Sequence, residues 1–223
     1  MIHMMLHDMK ETKMPDTQDL RTFWENRYAT MTTPTNGDPT GVLKRHSDGR
    51  SPGRALDIGC ARGDDALWLA GLGWRVTGVD VSQTALDIAQ GRAEAAGLAD
   101  RVTFERHTMP ESFPTGSFDL VSVVFFHSPM AFDRARVLEL AARATAPGGL
   151  LIVAGHNTAP SWRQPESHDH PAFPTPEEDR AAVARAGQDW RDIEVGLSKR
   201  EVTGPEGQRD IAADSHVILE RMK

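Results

Sequence analysis

From Arg54 onward the chain alternates short, almost continuously apolar segments with amphipathic ones, and few folds accommodate that rhythm. RALDI, RVTGVD, RVTFER, FDLVSVVFF and GLLIVAGH are predicted strands; DDALWLAGL, SQTALDIAQGRAEAAG and DRARVLELAARAT are predicted helices between them. Strands that are apolar on both faces and separated by helices require a parallel sheet covered on both sides. After the loop NTAPSWRQPESHDHPAFPTPEE the rhythm changes. A helix is expected near EEDRAAVARAG, and then two β-rich segments, WRDIEVGLSKREVTG and IAADSHVILERM, flank the turn GPEGQR. That arrangement predicts an antiparallel hairpin at the sheet edge. The expected fold is therefore α/β: a doubly wound, Rossmann-like, mostly parallel seven-stranded sheet ending in a C-terminal antiparallel hairpin.

Ahead of this core, Leu20, Phe23, Trp24 and Arg27 fall at helical spacings within QDLRTFWENRY, and TMTTPTNGDPTG then breaks the pattern. Residues 1–17, Met-rich and without sustained periodicity, are expected to be a flexible arm. Residues 18–223 are expected to form one domain: an N-terminal helix and loop (18–53), a ligand-binding core (54–157), and a loop, helix and edge hairpin (158–223).

In an open α/β sheet, ligands sit beyond the carboxyl ends of the strands, often at the first strand-to-helix turn. Here that turn reads DIGCARGDD, with Asp57 followed by Gly59, Ala61 and Gly63 at alternate positions. The spacing differs from the dinucleotide fingerprint G-x-G-x-x-G, whose final glycine would fall at Asp64. Charge separates the candidates further. A diphosphate would rest on the N-terminus of the following helix, where Asp64 and Asp65 already stand and would repel it. A ligand carrying a cationic amine and a sulfonium fits better. Asp80 closes the second strand about 20 residues beyond the turn, where an acid accepts hydrogen bonds from ribose hydroxyls. Val81 is placed to pack on an adenine face, and Ser82 to cap the next helix.

Composition excludes several classes. The formal net charge of -7 disfavours a backbone-wide nucleic-acid contact. No apolar run approaches the roughly 20 residues that cross a bilayer. The single cysteine, Cys60, cannot form an intramolecular bridge, and no secretory start is visible. A cytoplasmic setting is expected, with no nucleic-acid or membrane partner; oligomeric state is open.

ALDIGCARGDDALWLA, GWRVTGVDVSQTALDIA, GSFDLVSVVFFHSP and APGGLLIVAGHN together resemble the class I S-adenosylmethionine-dependent methyltransferases. Within that class the chain looks most like the small bacterial tellurite-resistance and thiopurine enzymes that act on small molecules. The resemblance implies S-adenosylmethionine as cofactor, S-adenosylhomocysteine as product and a small-molecule acceptor. By it, Asp57 and the backbone from Gly59 through Cys60 and Ala61 to Gly63 would hold the methionine portion, and Asp80 with Val81 the ribose and adenine. Thr108 and Met109 would lie near adenine, and Phe125, Phe126 and His127 would line the cavity. The helix bearing Trp24 and Tyr28 would act as a lid. Two positions depart from the family's pattern: Ala61 stands where most relatives have glycine. His107 and Thr108 stand where many have an aspartate that accepts from the adenine amine.

His127 and His156 are the candidate catalytic residues, either serving as base for an oxygen acceptor, whereas a thiol or chalcogen anion needs no strong base. No DPPY- or NPPF-type motif follows the fourth strand, which argues against methylation of nucleic-acid bases. His168 and His170, with no third ligand at motif spacing, make a weak metal site, and no metal is expected. Two other readings use the same residues: a non-catalytic S-adenosylmethionine-binding sensor or assembly partner, and an NAD-dependent oxidoreductase.

Overall fold

The computed structural model describes residues 17–163 and 173–223. Nearly all of the expected arm, together with His168 and His170, lies outside the described residues.

The elements follow in the order α1 (Thr17–Thr30), α2 (Gly41–Ser47), β1 (Arg54–Ile58), α3 (Asp64–Gly71), β2 (Arg75–Asp80), α4 (Gln83–Ala95), β3 (Val102–Arg106), β4 (Phe118–Val124), α5 (Arg134–Ala144), β5 (Thr145–His156), α6 (Pro176–Ala184), β6 (Trp190–Thr203) and β7 (Arg209–Arg221). They build one seven-stranded sheet in the order β3-β2-β1-β4-β5-β7-β6. The first five strands run parallel; β7 lies antiparallel between β5 and β6. The fold is the expected Rossmann-like one, and its strand order reverses between β1 and β4.

Two apolar layers hold the helices to the sheet. On one face Leu56, Ile58, Val121, Val123, Leu151, Val153 and Val217 pack with Val137, Leu138 and Ala141 of α5 and Val183 of α6. On the other, Ala55, Val76, Leu120, Ile152 and Ile218 pack with Val42 and Leu43 of α2 and with Ala66, Leu69 and Ala70 of α3. Helix starts follow local capping chemistry. Ser82 accepts from the Ala85 N–H at 3.2 Å, Asp133 accepts from that of Arg136 at 2.9 Å, and Thr175 with Glu178 forms a capping box behind Pro176.

Two expectations need correction. The segment 18–53 is not one helix and a loop, because Gly41–Ser47 forms α2. With only Val42, Leu43 and Ser47 buried, this short helix offers almost no periodic signal. The fourth strand also stops at Val124, before Phe125 and Phe126. Phe125 takes a φ of 51° while its N–H still donates to the Ala154 carbonyl at 2.8 Å, so the chain leaves the ladder there and turns its rings toward the switch point.

Candidate active site

At the switch point, the ends of β1, β2 and β4 and the face of α1 line a cleft that is partly open to solvent. Its walls bring together the predicted Trp24, Tyr28, Gly59, Asp80, Val81, Met109, Phe125, Phe126 and His127, with Leu20, His107, Ser128 and Phe132 added. Asp57, Cys60, Ala61, Gly63, Thr108 and His156 are not among the residues that line it.

The floor is a tightly folded turn. The Gly59 and Cys60 N–H groups both donate to the Val79 carbonyl, at 2.8 and 3.0 Å, and the Gly63 N–H donates to the Cys60 carbonyl at 2.8 Å. Gly59 combines a φ of 73° with the Phe126 ring beside it, where an added Cβ would stand 2.5 Å from Cδ2. Only glycine satisfies both constraints. Ala61 also has a positive φ, 49°. Its N–H donates to Asp80 Oδ2 at 3.0 Å, while Asp80 Oδ1 accepts from the Ser82 N–H at 3.0 Å. Each carboxylate oxygen keeps a second lone pair, enough to receive two vicinal hydroxyls.

Asp57 is 3 % exposed. Its Oδ1 accepts from the Ser122 hydroxyl at 2.9 Å, and its Oδ2 has no partner. Burial, joined by the negative charges of Asp65, Asp80 and Asp64, pushes its pKa up to about 8 against the pull of the Ser122 hydrogen bond. A buried, unpartnered carboxylate oxygen is costly and calls for a donor, preferably a cation. Burial also raises the Cys60 thiol well above its ordinary value, with Asp80 and Asp57 adding to the effect, so this sulfur is a small packed group and no nucleophile.

Asp64 and Asp65 do stand in the first turn of α3, but each also holds the N-terminal segment. Asp65 accepts from the Thr40 N–H at 2.6 Å and from its hydroxyl at 2.9 Å. Asp64 accepts from the Thr35 hydroxyl and pairs with Arg92 at 2.7 Å. Arg92 thus offsets part of the anion repulsion expected of Asp64. On the roof, the Glu25 carboxylate of α1 receives the Ser82 hydroxyl and the Gln83 and Thr84 N–H groups, and Arg21 donates to Thr108 Oγ1 at 3.2 Å. These latches join residues far apart in sequence and left no signal for sequence reading.

His127 and His156 stack at 5.6 Å with ring planes 13° apart. His127 Nε2 accepts from the His156 backbone N–H at 2.9 Å. Burial, then the positive charge of Arg134, lowers the His127 pKa to about 4, with the neighbouring His156 acting in the same direction. It is neutral near pH 7, with one ring nitrogen already engaged. His156 Nδ1 meets Asp214 Oδ1 at 3.0 Å. A second cavity, lined by Phe126, His127, Met130, Arg134, Phe173 and Glu178 among others, opens beside the first. Among the described residues no group of three or more His, Cys, Asp or Glu is arranged to hold a metal, and no helix is long and apolar enough to cross a membrane.

Residues 55–149 match the family described as Methyltransferase domain. A ubiquinone biosynthesis O-methyltransferase of Methylobacterium sp. (strain 4-46) is 31% identical over 182 residues, covering 74% of this chain and 72% of that one. The 27-O-demethylrifamycin SV methyltransferase of Amycolatopsis mediterranei (strain S699) is 34% identical over 62% of this chain and 51% of its own length, so the chain spans about half of that relative. The crystal structure of TehB from Haemophilus influenzae, 17% identical, superposes with a TM-score of 0.65 over 91% of this chain and 67% of that one, a likeness of fold. With a family match over the core and a relative aligned across most of both chains, this protein belongs to the S-adenosylmethionine-dependent methyltransferases.

Proposed function

We propose that the protein transfers the methyl group of S-adenosylmethionine to a small-molecule thiol, chalcogen or oxygen nucleophile, as the small tellurite-resistance and thiopurine enzymes that its sequence resembles do. The observation that carries this reading is the pairing of two buried carboxylates at the switch point. Asp57 has an oxygen without a partner, and Asp80 has spare lone pairs facing the cleft. The first suits the amine of the amino-acid portion and the second the ribose hydroxyls. Val81 and Met109 supply apolar contact for a base, and Trp24 and Tyr28 cover it. When bound, the cofactor supplies a methyl group already activated by positive sulfur. The chain's own work is then to aim the acceptor in line and to exclude water.

Calorimetry against S-adenosylhomocysteine and NAD, followed by a panel of thiol, selenol, tellurite, phenol and carboxylate acceptors, tests the reading. Tight binding of S-adenosylhomocysteine with methyl transfer to at least one acceptor is expected. Preferential binding of NAD would overturn it.

A further inference from the structure

We propose that the protein is a dimer in solution, in which two copies join along β6, edge to edge and antiparallel, about a two-fold axis midway between their Leu197 residues. β6 is the outermost strand of the sheet, and among the described residues no strand pairs with its outer side. It runs for 14 residues, whereas β3 at the opposite edge has 5. A long outer strand presents a row of N–H and C=O groups on which another strand can pair. Its side chains add apolar surface. Of the eight exposed large hydrophobic residues among those described, Ile193, Val195 and Leu197 lie on β6 and Ile211 on the adjoining β7, with Leu197 itself 56% exposed. Half of the molecule's exposed apolar bulk is thus concentrated on one hairpin.

Charge selects a second copy as the occupant and fixes the register. The ladder between β6 and β7 shifts between Asp192 and Glu194, so β6 is regular over residues 194–203. Within that run Val195 and Leu197 stand opposite Val217 and Ser215, on the α6 side of the sheet, while Glu194, Ser198 and Arg200 belong to the α2 side. A two-fold axis at right angles to the sheet pairs residues equally distant from the central one and keeps each face on its own side. Centred on Leu197, it sets Leu197 against its copy and Gly196 opposite Ser198. Val195 then faces Lys199, whose apolar stem lies along it. At both ends Glu194 of one copy stands opposite Arg200 of the other, an attractive cross-strand pair. Other registers lose this match. An axis at Ser198 puts Val195 opposite Glu201 and Glu194 opposite Val202, and one at Gly196 shortens the regular pairing to residues 194–198. Parallel pairing in register would set Glu194 on Glu194 and Arg200 on Arg200.

Both charged groups are already held at the edge. Arg200 Nε donates to Asp214 Oδ2 at 2.7 Å, and its side chain is still 46% exposed. The Glu194 carboxylate is braced by His46 of α2 at 3.0 Å and by Arg45 at 3.4 Å, and is 37% exposed. Side chains fixed before association lose less freedom on pairing. The contact is also self-limiting: each copy uses its one β6 edge, and the opposite edge carries a different sequence, so pairing closes at two copies.

Sedimentation velocity of the full chain over a range of concentrations tests this, with circular dichroism to follow the folding of each variant. The wild-type protein is expected to sediment as a dimer. Leu197→Asp, at an exposed position, should dissociate it while leaving the fold intact. Glu194→Arg and Arg200→Glu each place like charges opposite one another at both ends, and each should raise the dissociation constant about tenfold or more. An equimolar mixture of these two variants should recover the dimer, because opposite charges then meet at both ends again. Mixing cannot repair the contacts that either substitution breaks within its own chain, so this recovery reads the interface alone. A wild-type protein that stays monomeric at every concentration, a dimer that Leu197→Asp leaves unchanged, or a mixture that associates no better than the single variants would overturn the inference. The methyl-transfer reading stands or falls separately, on the binding of S-adenosylhomocysteine.

Discussion

Glu25 of α1 and Ser82, the N-cap of α4, are joined by a hydrogen bond from the Ser82 hydroxyl to the Glu25 carboxylate, which also receives the Gln83 and Thr84 N–H groups. The roof of the cleft is thus fastened to the same segment that carries Asp80 and Val81. A carboxylate at a helix N-terminus satisfies unpaired N–H groups and complements the helix dipole. Glu25→Ala removes the latch but leaves the apolar contacts of Trp24 and Tyr28, so α1 spends more time away from the cleft. If the ligand prefers the covered state, its affinity falls by the loss in that population. Binding of S-adenosylhomocysteine to Glu25→Ala should weaken roughly tenfold, equivalent to about 1.4 kcal/mol, mainly through faster dissociation in stopped-flow measurements.

Asp57 predicts a pH dependence of the opposite sign to an ordinary paired carboxylate. Its native pKa, near 8, lies above its unfolded value, so its stabilising contribution is complete below about pH 3.8 and is lost as pH rises through 8. Without ligand, Asp57→Asn should therefore be more stable than wild type at pH 8, as read from denaturant midpoints. The amide keeps the size of the protonated carboxyl and carries no charge. A cationic ligand amine would pull the Asp57 pKa down, so binding near pH 7 should release a proton. Calorimetric enthalpies in buffers of different ionisation enthalpy check this: no buffer dependence in wild type would exclude Asp57 as the partner of that amine.

What could be read in the sequence was what neighbouring residues decide. The turn after β1, Asp80 at the end of β2 and the Ser82 cap each express themselves within a few positions. The order of apolar segments sufficed to predict the sheet, since strands buried on both faces leave no polar alternation to confuse the reading. The contacts that complete the site are of another kind. Glu25 and Ser82 are 57 positions apart, and His156 and Asp214 are 58 apart; the latter meet only because β7 inserts beside β5. No spacing rule links such pairs. Helix α2 escaped for a related reason, as its register is fixed by Asp65 holding Thr40 and not by its own periodicity.

Ala61 is a side chain in a backbone position that favours glycine, with a φ of 49°. The left-handed region costs an L residue roughly 1–2 kcal/mol, and glycine returns about 0.4–1 kcal/mol of that through the greater freedom of its unfolded chain. Ala61→Gly should then gain about 0.5 kcal/mol, a rise in Tm of roughly 1–2 °C for a chain of this size. Binding of S-adenosylhomocysteine should be kept, because the N–H that donates to Asp80 remains. A lowered Tm would show that the turn is not strained at this residue.

Arg134 and Asp179 bind α5 to α6 in a two-pronged pair, Nε to Oδ1 at 3.0 Å and Nη2 to Oδ2 at 2.9 Å, while Nη1 donates to the Phe126 carbonyl at 2.6 Å. Asp179 is 3 % exposed, so removing its partner strands a buried charge. Breaking such a pair costs about 3–5 kcal/mol, and Arg134→Met should lower the denaturant midpoint accordingly. The loss reaches the site because Phe126 covers Gly59. Arg134 is also the largest cause after burial of the lowered pKa of His127. Two readouts therefore move together. In Arg134→Lys, which keeps the charge but loses the fork, stability falls while the His127 titration stays low. In Arg134→Met, stability falls and the His127 pKa rises from about 4 toward its ordinary value, as followed by NMR of the ring protons. A His127 titration unmoved in Arg134→Met would assign its depression to burial alone and remove Arg134 from the electrostatics of the site.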